Sequence, residues 1–314
     1  MRATSGIANG IANGVNGVNG HAAKEPTAGH TLGQDFTHRV IKSMGPKTSP
    51  RLRTVMSSLI QHIHDFAREV SLTSEEWMLG VQMINAAGQM TTDKRNEGQL
   101  MCDVIGLESL VDAITYQEAV KSDKPLTASA ILGPFWRSDT PTRPNGSTII
   151  FDMPADGVVA FMSGQVTSAE TGAPLVGAVV DVWQASTNGL YEQQDPAQQE
   201  FNLRGKFVTD PEGRYSFYCL RPTPYPVPGD GPAGKLLDLM DRHHWRPAHI
   251  HLIIEAKGYK TVTTQIFDSE SEYLEDDSVF AVKDNLTVDF VPRKDDPKAA
   301  FQLTYDISLA TDTK

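Results

Sequence analysis

Apolar positions recur along the chain with two different periods, and the change of period divides it. Between residues 35 and 125 the spacing is three and four. Val55, Met56, Leu59, Ile60, Ile63, Phe66 and Val70 form one stripe and predict a helix. Thr73 followed by Glu76 fits a reciprocal cap and opens a second helix, "TSEEWMLGVQMINAAGQM". Further helices are expected around Leu100, Met101 and Val104, and around Leu107, Leu110, Val111 and Ile114. Helices this apolar must cover something larger than themselves, a partner subunit or a sheet.

After Pro125 the texture changes. "SGQVTSAETGAPLVGAVVDVWQAS", "DPEGRYSFYCL", "AHIHLIIEA", "KTVTTQIF" and "LTVDFV" are short alternating β-branched runs, split by Gly, Pro and Asn turns. Such spacing predicts a mainly β chain: an antiparallel β-sandwich catalytic domain over 126–314, behind an all-α helical domain over 35–125. Ahead of both, "GIANGIANGVNGVNGH" is rich in Gly and Asn and cannot bury apolar surface. Residues 1–34 are expected to be a disordered tail.

Composition narrows the class. A hydrophobic share of 39% in 314 residues is enough for a core, and a net charge of -11 without a basic run argues against nucleic acid as partner. No apolar segment approaches the ~20 residues of a membrane helix. The first residues lack the apolar core of a signal peptide, so a cytoplasmic protein is expected, with no membrane partner. Cys102 and Cys219 are too few for a disulfide framework and lack zinc-site spacing. Any metal must therefore use harder ligands.

"WRPAHIH" supplies the first candidates. Side chains alternate faces on a strand, so His249 and His251 point the same way and form a natural metal pair. "QHIHD" is a control, because His62 and His64 lie in a predicted helix, where residues two apart diverge. His243 and His244, in "MDRHHWRP", follow a predicted helix end and are assigned to its dipole rather than to a metal. Two histidines do not complete a site, and spacing does not choose among the Asp, Glu, Cys and Tyr residues that could. Two tyrosines stand out by placement: Tyr191 in "TNGLYEQQD", and Tyr225 held among prolines in "PTPYPVP".

"VDVWQASTNGLY", "RPTPYPVPGDG", "HHWRPAHIH" and "KTVTTQIF", in that order and preceded by "ILGPFWR", resemble the intradiol ring-cleaving aromatic dioxygenases over about residues 40 to 310. The resemblance implies a non-haem Fe(III) held by Tyr191, Tyr225, His249 and His251, acting on a small aromatic diol or triol and O2. Tyr225 matches the tyrosine that leaves the metal and accepts a substrate proton. Arg246 matches the arginine that stabilises charge beside the substrate, and Gln265 a glutamine near the metal. With Arg246, the residues Leu100, Asp103, Ile131, Gly133, Pro134, Phe135, Val227 and Pro228 would line the ring pocket. The resemblance also implies a homodimer through the helical domain, where several relatives hold a lipid.

Asp103 in "GQLMCDVIGLESLVDAI" and the segment "DDSVFAVKDNLTVDF" look most like the hydroxyquinol branch, whose product is maleylacetate. A carboxyl at Asp103 would accept a bond from a third ring hydroxyl. Catechol cleavage to cis,cis-muconate is the alternative. Outside the enzymes, the "G-x-V…TG-x-P-x-x-G" cadence also suits a prealbumin-like binding sandwich, which has no need of two tyrosines and two histidines. A zinc hydrolase would need a carboxylate third ligand and leaves the caged Tyr225 without a role.

Overall fold

The computed structural model describes residues 35–119 and 126–312, so the expected tail over 1–34 lies outside the described residues. The chain divides into two compact units, one ending at Trp77 and one beginning at Met78. In the first, α1 (Phe36–Lys42) packs on α2 (Pro50–Glu69). Ser49 caps α2 by accepting from the Leu52 N–H at 3.3 Å, and Pro50 takes the first turn, where no amide partner is needed. Phe36 stacks on His64 at 5.5 Å, and Thr37 Oγ1 lies 3.0 Å from His64 Nδ1. His62 is exposed, so the two helical histidines do point apart. The apolar stripe of α2, including Leu52, Leu59, Ile63 and Phe66, remains about half exposed.

The expected cap of α3 (Ser74–Met90) is present: the Thr73 N–H donates to Glu76 Oε2 at 2.9 Å, and the Glu76 N–H donates to Thr73 Oγ1 at 3.2 Å. Two more helices follow, α4 (Glu97–Val104) and α5 (Leu107–Ala119).

The β region begins with β1 (Thr142–Arg143), β2 (Ser147–Thr148), β3 (Val159–Ser168), β4 (Val179–Trp183), β5 (Arg204–Val208), β6 (Arg214–Leu220) and β7 (Tyr225–Pro226). After α6 (Pro232–Leu239) come β8 (Trp245–Arg246), β9 (His249–Glu255), β10 (Val262–Asp268), β11 (Thr287–Val288), β12 (Val291–Pro292), β13 (Phe301–Thr304) and β14 (Ile307–Leu309). One sheet runs β1-β5-β4-β9-β10-β11, and a second runs β12-β13-β3-β6-β2 with β14 also on β3.

The sheets are mixed, which corrects the expectation of an antiparallel arrangement. The long ladders β4–β5, β4–β9, β9–β10 and β3–β6 are antiparallel. Pairings β1–β5, β10–β11, β2–β6, β13–β3 and β14–β3 are parallel. Each parallel pairing adds a strand of two to four residues, too short to carry an alternating pattern of its own.

Buried residues of both sheets belong to one apolar cluster, with Met162 and Phe217 from one and Val182, Ile250, Leu252 and Ile254 from the other. Each such side chain contributes ~1.5–3 kcal/mol by burial. Because β9 spends Ile250, Leu252 and Ile254 on this core, its other face is left to His249 and His251. A second cluster joins α4 and α6 through Leu100, Val104 and Leu237, together with Ile131, Val227 and Phe267. Glu97 Oε1 accepts from the Ala233 N–H at 3.0 Å, near the start of α6. Gly231 is required there, because a Cβ would overlap that carboxylate.

Candidate metal centre

Strand register builds the centre. Arg204 on β5, Trp183 on β4, His251 on β9 and Gln265 on β10 lie directly opposite one another, in one row across four strands. His249 stands two residues before His251, opposite Phe267. Tyr191 arrives from the loop after β4. Its turn needs Gly189, which has φ +78° and whose Cβ would lie 2.9 Å from that of Tyr225. Tyr225 arrives on β7, directly opposite Arg246 on β8.

Four polar atoms converge. Tyr191 Oη is 3.0 Å from Tyr225 Oη, Tyr225 Oη is 3.2 Å from His249 Nε2, and His249 Nε2 is 3.2 Å from His251 Nε2. All four residues are buried. The Pro247 carbonyl, 2.7 Å from His249 Nδ1, can only accept, so Nδ1 carries the hydrogen and Nε2 keeps its lone pair for the cluster. His251 stacks on Trp183 at 4.8 Å, and Gly133 lies so close that a Cβ would sit 3.1 Å from His251 Cε1.

Burial, then the nearby Arg246 charge, holds His249 well below the usual histidine range. Burial, His249 and Arg246 do the same for His251. Both rings are therefore neutral, the form in which imidazole binds a metal. Burial pushes both phenols upward, with Arg246 pulling each back. Arg246 is itself fixed. Its Nε and Nη2 donate to Asp277 at 3.0 and 3.2 Å, Nη2 donates to Gln265 Oε1 at 2.8 Å, and Nη1 lies 3.0 Å from His249 Nε2. Burial opposes its charge, but Asp277 and the tyrosines outweigh that and raise it. Gln265 is locked in turn by donating to the Ile131 carbonyl at 2.8 Å.

Two phenols and two neutral imidazoles in a dry site form a hard donor set that fits a ferric ion. A trivalent cation would also supply the positive charge that two buried phenolates need. Among the described residues, no group of three or more His, Cys, Asp or Glu side chains could hold a metal, so a site here depends on the tyrosines. His243 and His244 lie apart from the cluster, on Asp276 at 3.1 Å and Asp238 at 2.8 Å.

A cleft of about 700 Å³ opens beside the cluster, lined by Phe135, Tyr225, Val227 and Pro228 and, further out, by Lys94 and Arg95. Phe135 stacks on Tyr191 at 4.8 Å. Leu100, Ile131 and Val227 share the α4 cluster, and Pro134 is half-buried beside Gly133. Asp103 on α4 is buried, and neither of its oxygens makes a hydrogen bond of normal geometry. Burial, followed by the neighbouring Glu108 carboxyl, pushes it up to about 10, so it is a neutral acid at ordinary pH. Glu108 already accepts from the Leu132 N–H and from Gln99 Nε2, both at 2.9 Å. Asp103 also feels the charges of Arg246 and Asp277.

Sequence reasoning missed Trp183, Asp277, Glu108 and Arg204. Trp183 had a signal, since it ends the strand in "VDVWQAS", the quoted run that leads to Tyr191. The other three carry none that is local.

Similarity to known proteins gives the family. The family model described as Dioxygenase matches residues 131–311, and that for the catechol dioxygenase N terminus matches 49–123. The chain is 55% identical to the intradiol ring-cleavage dioxygenase prcA of Aspergillus niger, over 88% of each. It is 52% identical to a catechol 1,2-dioxygenase of Candida albicans, over 90% of this chain and 94% of the other. Among solved structures, a hydroxyquinol 1,2-dioxygenase from Pseudomonas putida superposes with a TM-score of 0.76 at 36% identity, covering 88% of this chain and 98% of that one. The chain belongs to the intradiol ring-cleavage dioxygenases. It is thus an oxidoreductase that acts with O2 on aromatic diols, and members of this family generally depend on non-haem iron(III).

Proposed function

We propose that the protein opens the ring of an aromatic ortho-diol carrying a third polar substituent, hydroxyquinol first, between its adjacent hydroxyls, giving maleylacetate. Tyr191, Tyr225, His249 and His251 would hold Fe(III), with the ring placed by Leu100, Asp103, Ile131, Gly133, Pro134, Phe135, Val227 and Pro228. Fe(III) held by these residues would supply Lewis-acid activation of the diol. Tyr225 borders the cleft with its Oη amid the cluster, which supports its taking a diol proton as a phenolate. Arg246, gripped by Asp277 and Gln265, presents a fixed positive charge where negative charge develops on the ring.

The observation that carries the choice of substrate is Asp103, a buried neutral acid whose oxygens, beside the Glu108 carboxyl, make no hydrogen bond of normal geometry. A third ring hydroxyl would satisfy it, whereas plain catechol would leave it unpaired at a cost of about 1–3 kcal/mol. The second reading is catechol, cleaved to cis,cis-muconate, and it is favoured by the 52% identity to an enzyme of that name. Asp103→Ala separates the two. It should lower the ratio of kcat/KM for hydroxyquinol over catechol by roughly 5–150-fold. Equal losses on both substrates would overturn the choice of hydroxyquinol.

The same reading takes 126–314 as a catalytic sandwich and 35–125 as a helical dimerisation domain. The exposed stripe on α2 supports a homodimer, and a lipid at its interface follows only from the family resemblance. The same reading takes the enzyme as cytoplasmic; among the described residues no helix is long and apolar enough to cross a membrane.

A further inference from the structure

Arg204 has no place in the reaction described so far, yet it is among the largest fully buried side chains. It opens the row that continues through Trp183 to His251. Its Nε donates to Glu192 Oε2 at 2.5 Å, its Nη2 donates to Gln193 Oε1, and its Nη1 is buried with no hydrogen-bond partner. The guanidinium carbon lies 5.7 Å from the centre of the Tyr191 ring. Two of its three nitrogens are therefore spent on the two residues that follow Tyr191. Glu192 is gripped from its other oxygen by Arg137 Nη1 at 2.9 Å.

A buried ion pair is a poor device for stability, since apolar residues of like volume often serve as well or better. What a planar fork offers instead is geometry, holding two neighbours in a fixed relation to a ring. We infer that Arg204 is a positioning residue for the iron ligand Tyr191: it clamps the 191–193 turn through Glu192 and Gln193 and keeps a fixed positive charge close to the phenol ring. Tyr191 and His251 both sense that charge. Tyr225 has no such clamp and borders the cleft. The inference rests on the ferric reading and gives it an asymmetry, with only one of the two tyrosines followed by residues that an arginine grips.

The test compares wild type, R204Q, R204K and E192Q, each loaded with iron, by visible absorption and by iron retention against a chelator. Hydrogen exchange of residues 188–194 is measured on the same proteins without metal. Loss of a nearby cation raises the filled orbitals of the phenolate. R204Q should therefore move the tyrosinate-to-iron band to longer wavelength and weaken iron binding about 10–100-fold. E192Q leaves the Arg204 charge uncompensated and should move the band to shorter wavelength. R204K should keep the band near its wild-type position but lose exchange protection of the turn. A merely structural role would not produce opposite shifts from the two partners of one ion pair. Wild-type band, retention and protection in R204Q overturn the inference; if R204Q does not fold, an unshifted band in E192Q does so. A wild-type protein that shows no band with iron sinks the ferric reading instead, and the metal-free exchange then decides whether the clamp exists.

Discussion

On the sheet wall of the site, His249, Arg246, Gln265 and Asp277 form an unbroken chain of contacts that ends on the Pro247 and Ile131 carbonyls. On the helix side, Asp103 of α4 is as deeply buried, and beside the Glu108 carboxyl it makes no hydrogen bond of normal geometry. Leaving a buried polar group unpaired costs folding free energy, so one wall is finished and the other is left incomplete. A finished wall fixes distances, as a metal centre with exacting geometry requires. The sheet side and the helix side are thus built on different rules.

The largest break in this comparison comes from the sheet wall. His249→Ala removes a proposed ligand, and with it the acceptor for Arg246 Nη1. Iron affinity should fall by more than the roughly 10–100-fold expected for an outer contact, with loss of ring cleavage. Metal analysis after dialysis checks this, and a variant that keeps its iron would remove His249 from the centre.

A smaller effect sharpens the helix wall. Asp103 titrates near 10 in the fold, far above the ~3.9 of an unfolded chain. Its contribution to stability is fully present below pH ~4 and is lost as pH rises toward 10, because the unfolded chain ionises first. Asp103→Asn does not titrate. Its melting temperature relative to wild type should therefore be higher at pH 9 than at pH 5. A difference independent of pH would mean that Asp103 is not buried as a neutral acid.

Much of this was legible in the sequence, and the rest was not for definite reasons. Alternation alone puts His249 and His251 on one face while Ile250 and Leu252 go to the core, and the structure has that arrangement. Helical spacing separates His62 from His64, and Thr73 with Glu76 marks the start of α3. The parallel edges escaped because two-residue strands such as β1 and β11 are defined by their partners. Tyr191 and Tyr225 drew notice from their turn and proline settings, but no local pattern says that their oxygens meet. Asp277 and Arg204 lie 31 and 12 residues from the side chains they hold, Arg246 and Glu192, and only the folded register brings each pair together. Glu108 is plain helix sequence until Leu132 and Gln99 close on it.

The central claim is a ferric centre with two tyrosines beside a pocket that asks for a third ring substituent. The measurement that tests it most directly is the visible spectrum of the iron-loaded protein, titrated without O2 first with hydroxyquinol and then, on a fresh sample, with catechol. The account predicts a broad tyrosinate-to-iron band that shifts at stoichiometric hydroxyquinol and at only higher concentrations of catechol. A protein that stays colourless after iron loading would contradict it.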